Sequence, residues 1–129
     1  MKDTPGWLAR WADQDFCYVT TTGRRTGRPH TIEIWYALGE GRLYLLSETG
    51  DRADWVRNLQ RRPAVQVRLG DETREGFAYV VDDPREALLA RELVAAKYEG
   101  WQPGMALSAW VRAALPVGIT VPTWLRGPR

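Results

Sequence analysis

The sequence predicts an α+β fold, an antiparallel sheet or small barrel with helices packed outside it. Three observations lead there. Apolar periodicity gives the element order α-β-β-β-α-β-β-α-α-β, in which strands mostly follow strands instead of alternating with crossover helices. Two glycine-containing turns, Gly39-Glu40-Gly41 and Gly70-Asp71-Glu72, separate strand-like runs as hairpin turns do. A GxGxxG turn and a Walker loop are both missing, and with them the usual signatures of dinucleotide and P-loop folds.

Each element has its own reason. Asp3 to Gln14 has Pro5 early and Trp7, Leu8, Trp11 and Ala12 on one face, which predicts a short amphipathic helix. Phe16 to Thr22 is aromatic and β-branched, so it predicts a strand, and Gly23 to Pro29 a turn-type loop. Thr31 to Leu38 reads as a second strand and Arg42 to Ser47 as a third, across the first glycine turn. Asp54 to Arg62 fits a two-turn helix that Pro63 stops. Ala64 to Leu69 and Glu75 to Val81 are strands on either side of the second turn. Asp83-Pro84-Arg85-Glu86 starts a helix: Asp83 accepts from the N3 amide, Pro84 suits the first helical position, and Glu86 closes a capping box. That helix runs to about Tyr98 and ends at Gly100. A short helix near Ser108 to Ala114 and an extended Val117 to Val121 follow.

With 129 residues, 44% of them apolar and 26% charged, the chain is expected to fold as one globular domain. Cys17 is the single cysteine, which excludes an internal disulfide and a cysteine zinc site. It lies in a predicted strand, where a buried packing role outweighs a redox one because no second thiol can resolve it. His30 is the single histidine, which excludes HExxH and multi-histidine metal sites, so no metal is expected. The first twenty residues alternate charged and apolar positions, which argues against a signal peptide. No run of eighteen apolar residues occurs, so no membrane span is expected and the cytoplasm is the expected location. The net charge is only +2, but residues 23–62 hold eight arginines against five acids. Such a local cationic patch attracts anions.

Two segments carry chemistry. In Thr20-Thr21-Thr22-Gly23-Arg24-Arg25-Thr26-Gly27-Arg28-Pro29-His30, three arginines and a histidine stand among hydroxyls, with two glycines that let the loop curl. Guanidinium forks and free amides suit phosphate or carboxylate oxygens, although a solvated hairpin turn would have the same composition. In the helix that begins at Asp54, Trp55 and Asn58 share a face at i,i+3, with Arg57 and Arg61 on another. A ligand at its N-terminus would meet free N–H groups and the positive end of the dipole. Taken alone, Trp55 reads more readily as a core anchor with Leu59, and Asn58 equally as a cap or backbone bridge.

Taken together, the Gly-Arg-Arg-Thr-Gly-Arg-Pro loop, an aromatic strand, a strand ending in Ser47 and an Asp-Trp-x-x-Asn-Leu helix give a spacing from Gly23 to Asn58 that resembles the deazaflavin-dependent nitroreductase family. Its members have a split β-barrel related to that of the pyridoxamine phosphate oxidases and bind coenzyme F420. The resemblance covers Tyr18 to Leu69, and more loosely Glu75 to Trp101, including Ala96-Lys97-Tyr98-Glu99-Gly100-Trp101. It implies an α+β split β-barrel of mainly antiparallel strands with flanking helices, with residues 1–129 as one coenzyme-binding domain.

By the same resemblance, Arg24, Arg25 and Thr26 hold the phosphate and carboxylate tail of the coenzyme, and His30 contacts the same anions. Tyr36 and Ser47 border the ring pocket, Trp55 packs near the deazaflavin and Asn58 bonds its polar linker, with Asp54 and Val56 offering backbone atoms. Glu48 stands where relatives usually have glycine or a basic residue. An acid close to an anionic coenzyme is unfavourable, so Glu48 either points away, pairing with Arg52, or the ring end is bound differently.

The implied reaction is hydride transfer from the reduced coenzyme to a small electron-poor acceptor: a quinone, an enone or a nitroaromatic. The cofactor carries the chemistry and the protein orients it. A proton comes from solvent or from a tyrosine, with Tyr36 and Tyr98 the candidate catalytic donors. Tyr98 is otherwise a helix-end packing residue. Tyr98, Trp101, Met105, Leu107 and Trp110 line either an apolar acceptor pocket or a second small core. The alternatives are an FMN-binding oxidoreductase on the same barrel and a non-catalytic coenzyme or lipid binder. Nucleic-acid binding ranks last, since neither a strong basic excess nor a recognition motif is present. A homodimer follows by analogy with other split barrels.

Overall fold

The structure is a computed structural model, and it describes residues 6–122. Helix α1 (Gly6–Arg10) leads into β1 (Cys17–Thr22), β2 (Pro29–Ile34), β3 (Ala37–Gly39) and β4 (Arg42–Ser47). A single 3₁₀ turn at Gly50–Arg52 precedes α2 (Asp54–Arg61). Then come β5 (Ala64–Leu69), β6 (Glu72–Val80), α3 (Pro84–Glu99), α4 (Ala109–Ala113) and β7 (Leu115–Thr120). The predicted start of the first helix at Asp3, with Pro5, lies outside the described residues.

All seven strands form one antiparallel sheet in the order β2-β1-β5-β6-β7-β4-β3. The two edge strands, β2 and β3, are consecutive in the chain and only Trp35 and Tyr36 lie between them. A two-residue link can join opposite edges of a seven-stranded sheet only if the sheet curls round until those edges nearly meet. The result is a barrel with a split beside Trp35 and Tyr36. This corrects the expectation of one continuous strand from Thr31 to Leu38: its two halves belong to opposite edges.

Burial follows from the curl. In β5, Val65, Val67 and Leu69 point into the barrel while Gln66 and Arg68 point out, the period-two pattern of a half-buried strand. In β4 both faces are covered: Leu43 and Leu45 join Val19, Val67, Val117 and Ile119 inside the barrel. Tyr44 packs on the other face with Ala87 and Ala90 of α3, and Leu46 with Val94 and Val111. The β3–β4 hairpin turns through Glu40 and Gly41, which both take positive φ, 55° and 78°; glycine relieves the strain at the second position, while Glu40 carries it at the first. Strand β6 starts at Glu72 instead of Glu75, because Glu72 pairs with Leu69 across a two-residue turn. Its first residues alternate polar types, so apolar patterning misses them.

Helix α3 begins as expected, with the Asp83 side chain accepting from the Glu86 amide at 2.9 Å, and ends with Gly100 in the left-handed region at φ 69°. Glu86 departs from the capping box. Its Oε2 accepts from Arg42 Nη1 at 2.8 Å and from the hydroxyls of Tyr44, at 2.7 Å, and Tyr79. Burial opposes its charge, yet the three donors, with the Arg42 charge, hold Glu86 below the usual carboxylate range. This network ties α3 to β4 and β6.

Candidate functional site

The loop between β1 and β2 folds on itself: the Gly23 N–H donates to Arg28 O at 2.7 Å and the Gly27 N–H to Gly23 O at 2.9 Å. Gly27 sits at φ 76°, where a side chain would be strained. Helix α2 clamps this loop through Asn58, which is only 1% exposed. Asn58 Oδ1 accepts from the Arg24 backbone N–H at 3.1 Å and from Arg24 Nη1 at 2.8 Å, while its Nδ2 donates to Thr21 Oγ1 at 3.2 Å. One turn earlier, Asp54 Oδ1 pairs with Arg24 Nη2 at 3.1 Å. The hydroxyl of Thr26 accepts from the Arg28 N–H at 3.2 Å.

These contacts shape a recess of about 220 Å³ lined by Gly23, Arg24, Arg25, Thr26, His30, Asp54 and Asn58. Arg24 is fixed in place by its partners, whereas Arg25 and His30 form no ion pair among the described residues. Pre-set and unengaged donors around one concavity suit a phosphate or carboxylate. The loop and the helix singled out in the sequence therefore meet, and six of the expected site residues share one recess.

At the far end of β2 lies a cleft of about 420 Å³ lined by Phe16, Glu33, Ile34, Trp35, Leu46, Glu48 and Trp110. The Trp35 ring stacks on Tyr98 at 4.2 Å between centroids and 1° between planes, with Trp110 edge-on at 5.9 Å. Stacked and edge-on rings hold a flat wall in one orientation. Tyr98 is anchored in turn: its hydroxyl donates to Asp15 O at 2.8 Å and accepts from the Tyr36 N–H at 3.1 Å. Four strand steps separate His30 from Ile34, roughly 13 Å. The recess and the cleft are thus two ends of one strand.

The other expected residues sit elsewhere. Tyr36 is fully buried, its hydroxyl donates to Trp11 O, and burial pushes its pKa up. Trp35, and not Tyr36, faces the cleft, because the chain crosses the barrel split there. Burial raises Tyr98 to about 12, and its hydroxyl is held by backbone. Ser47 is 2% exposed and donates to Gly50 O at 2.8 Å, and it does not line the cleft. Trp55 packs against the barrel core and Val56 is buried in it. Of the C-terminal aromatic set, Trp110 alone lines the cleft. Trp101 Nε1 donates to Met105 O at 2.9 Å, Met105 is exposed, and Leu107 packs with α3 and α4. Glu48 faces the cleft and makes no ion pair with Arg52. Cys17 is buried, and burial pushes its thiol up to about 12.

Sequence reading missed Phe16, Glu33, Trp35 and Lys97. Phe16 and Trp35 had one legible signal: each flanks an inward residue, Cys17 and Tyr36, and so points outward as a large aromatic. The Lys97 ammonium lies 3.5 Å from the centre of the Tyr36 ring without a hydrogen-bond partner, and burial pulls its pKa down to about 8.

Residues 3–120 match the family model of the F420H(2)-dependent quinone reductases. Among solved structures, a conserved hypothetical protein from Mycobacterium tuberculosis is similar with a TM-score of 0.76 at 21% identity, over 98% of this chain and 90% of that one. A protein solved as an F420-H2 dependent reductase gives 0.64 at 19% identity, over 85% and 96%. A provisionally assigned pyridoxamine 5′-phosphate oxidase from Listeria innocua gives 0.65 at 16% identity, over 89% and 90%. At these identities the likeness is one of fold, and that fold is the split β-barrel.

Proposed function

Because the chain belongs to the family of F420H2-dependent quinone reductases, we propose that it reduces a flat, electron-poor acceptor held against the coenzyme's ring in the Trp35 cleft, with reduced F420 as the hydride source. A quinone is the first acceptor class, with enones and nitroaromatics behind it. The observation that supports this reading is the pairing along β2 of a cationic recess with an aromatic cleft. A coenzyme with an anionic tail and a flat ring needs both, roughly a strand's length apart.

In this reading Arg25 and His30 bind the phosphate and carboxylates of the tail, beside Thr26. Arg24 presents the rest of its guanidinium from a position that Asp54 and Asn58 fix. Trp55 and Val56 anchor α2 against the barrel, and Ser47 sets the turn after β4, so these three act through placement. When bound, a deazaflavin supplies hydride from a carbon centre and not one-electron or oxygen chemistry. Tyr98 positions Trp35 as the cleft's wall. Since the hydroxyls of Tyr36 and Tyr98 are both engaged with backbone and their pKa values are raised, the acceptor's proton comes from solvent, which the open cleft admits.

No described helix is long and apolar enough to cross a membrane. A second copy of the chain would cover β2, an edge strand beside the partly exposed Phe16 and Trp35. Anaerobic mixing of F420H2 with a soluble quinone tests the reading. The oxidised coenzyme's absorbance should return only when the protein is present. Tight coenzyme binding with no turnover on quinone, enone or nitroaromatic would make the protein a carrier instead.

A further inference from the structure

The cleft has an electrostatic character opposite to that of the tail recess. Phe16, Ile34, Trp35, Leu46 and Trp110 supply apolar wall, and the other two lining residues are carboxylates, Glu33 and Glu48. No arginine, lysine or histidine lines it. The two acids approach from different elements, Glu33 from the β2 edge and Glu48 from the end of β4. Glu33 is held by the Tyr18 hydroxyl, which donates to its Oε1 at 2.8 Å across the β1–β2 pair. Glu48 follows Ser47, whose hydroxyl is tied to Gly50 O at 2.8 Å, so the chain direction at Glu48 is set. Neither acid forms an ion pair among the described residues.

Resting on the acceptor reading above, we propose that Glu33 and Glu48 set the charge preference of the cleft. Flat aromatic acceptors that carry a cationic or hydrogen-bond-donating substituent bind best, neutral ones next, and those with a carboxylate, sulfonate or phosphate worst. An ammonium on the ring's substituent gains from both carboxylates, and the faces of Trp35 and Trp110 favour it further. An anion loses by the same terms. Every polar side chain lining the cleft repels it, while the arginine recess at the other end of β2 attracts it. The opposed signs also orient a two-ended ligand, tail to Arg25 and ring to Trp35.

Three quinones that differ only in one substituent (methyl, trimethylammonium-methyl, sulfonate) test this by calorimetric titration of the protein saturated with oxidised F420. The proteins are wild type, Glu33→Gln, Glu48→Gln and the double variant. Both positions are exposed, so the substitutions leave the fold intact. The expected affinity order in wild type is ammonium, methyl, sulfonate. Each single variant should narrow the ammonium-to-sulfonate ratio by roughly threefold to fivefold, and the double variant by more. An unchanged ratio in the double variant, or sulfonate binding as tightly as ammonium in wild type, would overturn the proposal while leaving the acceptor reading standing. No binding of any of the three would overturn the acceptor reading itself, and this proposal with it.

Discussion

Asn58 holds Arg24 by two bonds from a single oxygen: Oδ1 accepts from the Arg24 backbone amide at 3.1 Å and from its guanidinium at 2.8 Å. The same amide group donates to Thr21 at 3.2 Å, so one buried side chain joins α2, β1 and the anion loop. Burial makes this contact costly to break, because the donors left behind lose partners that water cannot fully replace.

Asn58→Leu should therefore lower stability by about 1–3 kcal/mol and weaken coenzyme binding as Arg24 loses its seat. Asn58→Asp keeps the acceptor and loses the donor to Thr21, so it should retain more affinity than Leu. Urea unfolding together with coenzyme titration on both variants checks this. Equal binding by wild type and the Leu variant would detach Asn58 from the site.

Arg25 behaves differently because it is exposed and forms no ion pair among the described residues. Arg25→Ala should change stability by no more than about 0.5 kcal/mol. Its coenzyme dissociation constant should rise about tenfold, since the lost bond is charge-assisted. The salt dependence of binding should also become shallower. Titrations at two salt concentrations measure both effects, and a destabilised variant with unchanged affinity would contradict the assignment.

Lys97 gives a pH-dependent expectation. Folded Lys97 holds its proton less tightly, with a pKa of about 8 against an ordinary value of 10.5, because burial penalises the ammonium. Between those values the unfolded chain binds more protons, so Lys97 makes stability rise with pH from about 8 towards 10.5, and its full cost is present below 8. Cys17 acts in the opposite sense. Its thiol is raised from 9.0 to about 12, so above 9 the unfolded state loses that proton first and folding is weakened. Comparison with Lys97→Met separates the two. The variant should be more stable than wild type by about 1 kcal/mol at pH 7, the Tyr36 ring offsetting part of the cost, and the gap should close towards pH 10.5. A gap that stays constant with pH would show that the ammonium carries no such cost.

What could be read from the sequence was what neighbours in the chain decide. The Asp83-Pro84 start and Gly100 end of α3, the Glu40-Gly41 turn and the pairing of α2 with the Gly23–Arg28 loop all depend on local chemistry or on a spacing characteristic of the family. The break at Trp35 and Tyr36 was hidden, because it arises from the whole sheet curling until β2 and β3 approach. The cleft was hidden for the same reason. Phe16, Trp35, Leu46 and Trp110 come together only through that curl and through α4, and no spacing rule links them. Glu86 looked like a capping residue from its position three after Asp83. The rival partners, Arg42, Tyr44 and Tyr79, are distant in sequence and offer three donors to one oxygen.

The central claim is that one coenzyme, with an anionic tail and a flat deazaflavin ring, lies along β2 between the Arg25 recess and the Trp35 cleft. Titration of the protein with F420 and, separately, FMN, following intrinsic tryptophan fluorescence, tests it most directly. The account expects F420 to bind at micromolar concentration or below, FMN to bind much more weakly, and quenching to fall in Trp35→Phe more than in Trp55→Phe. Preference for FMN would move the protein to a flavin chemistry. Binding of neither would contradict the account.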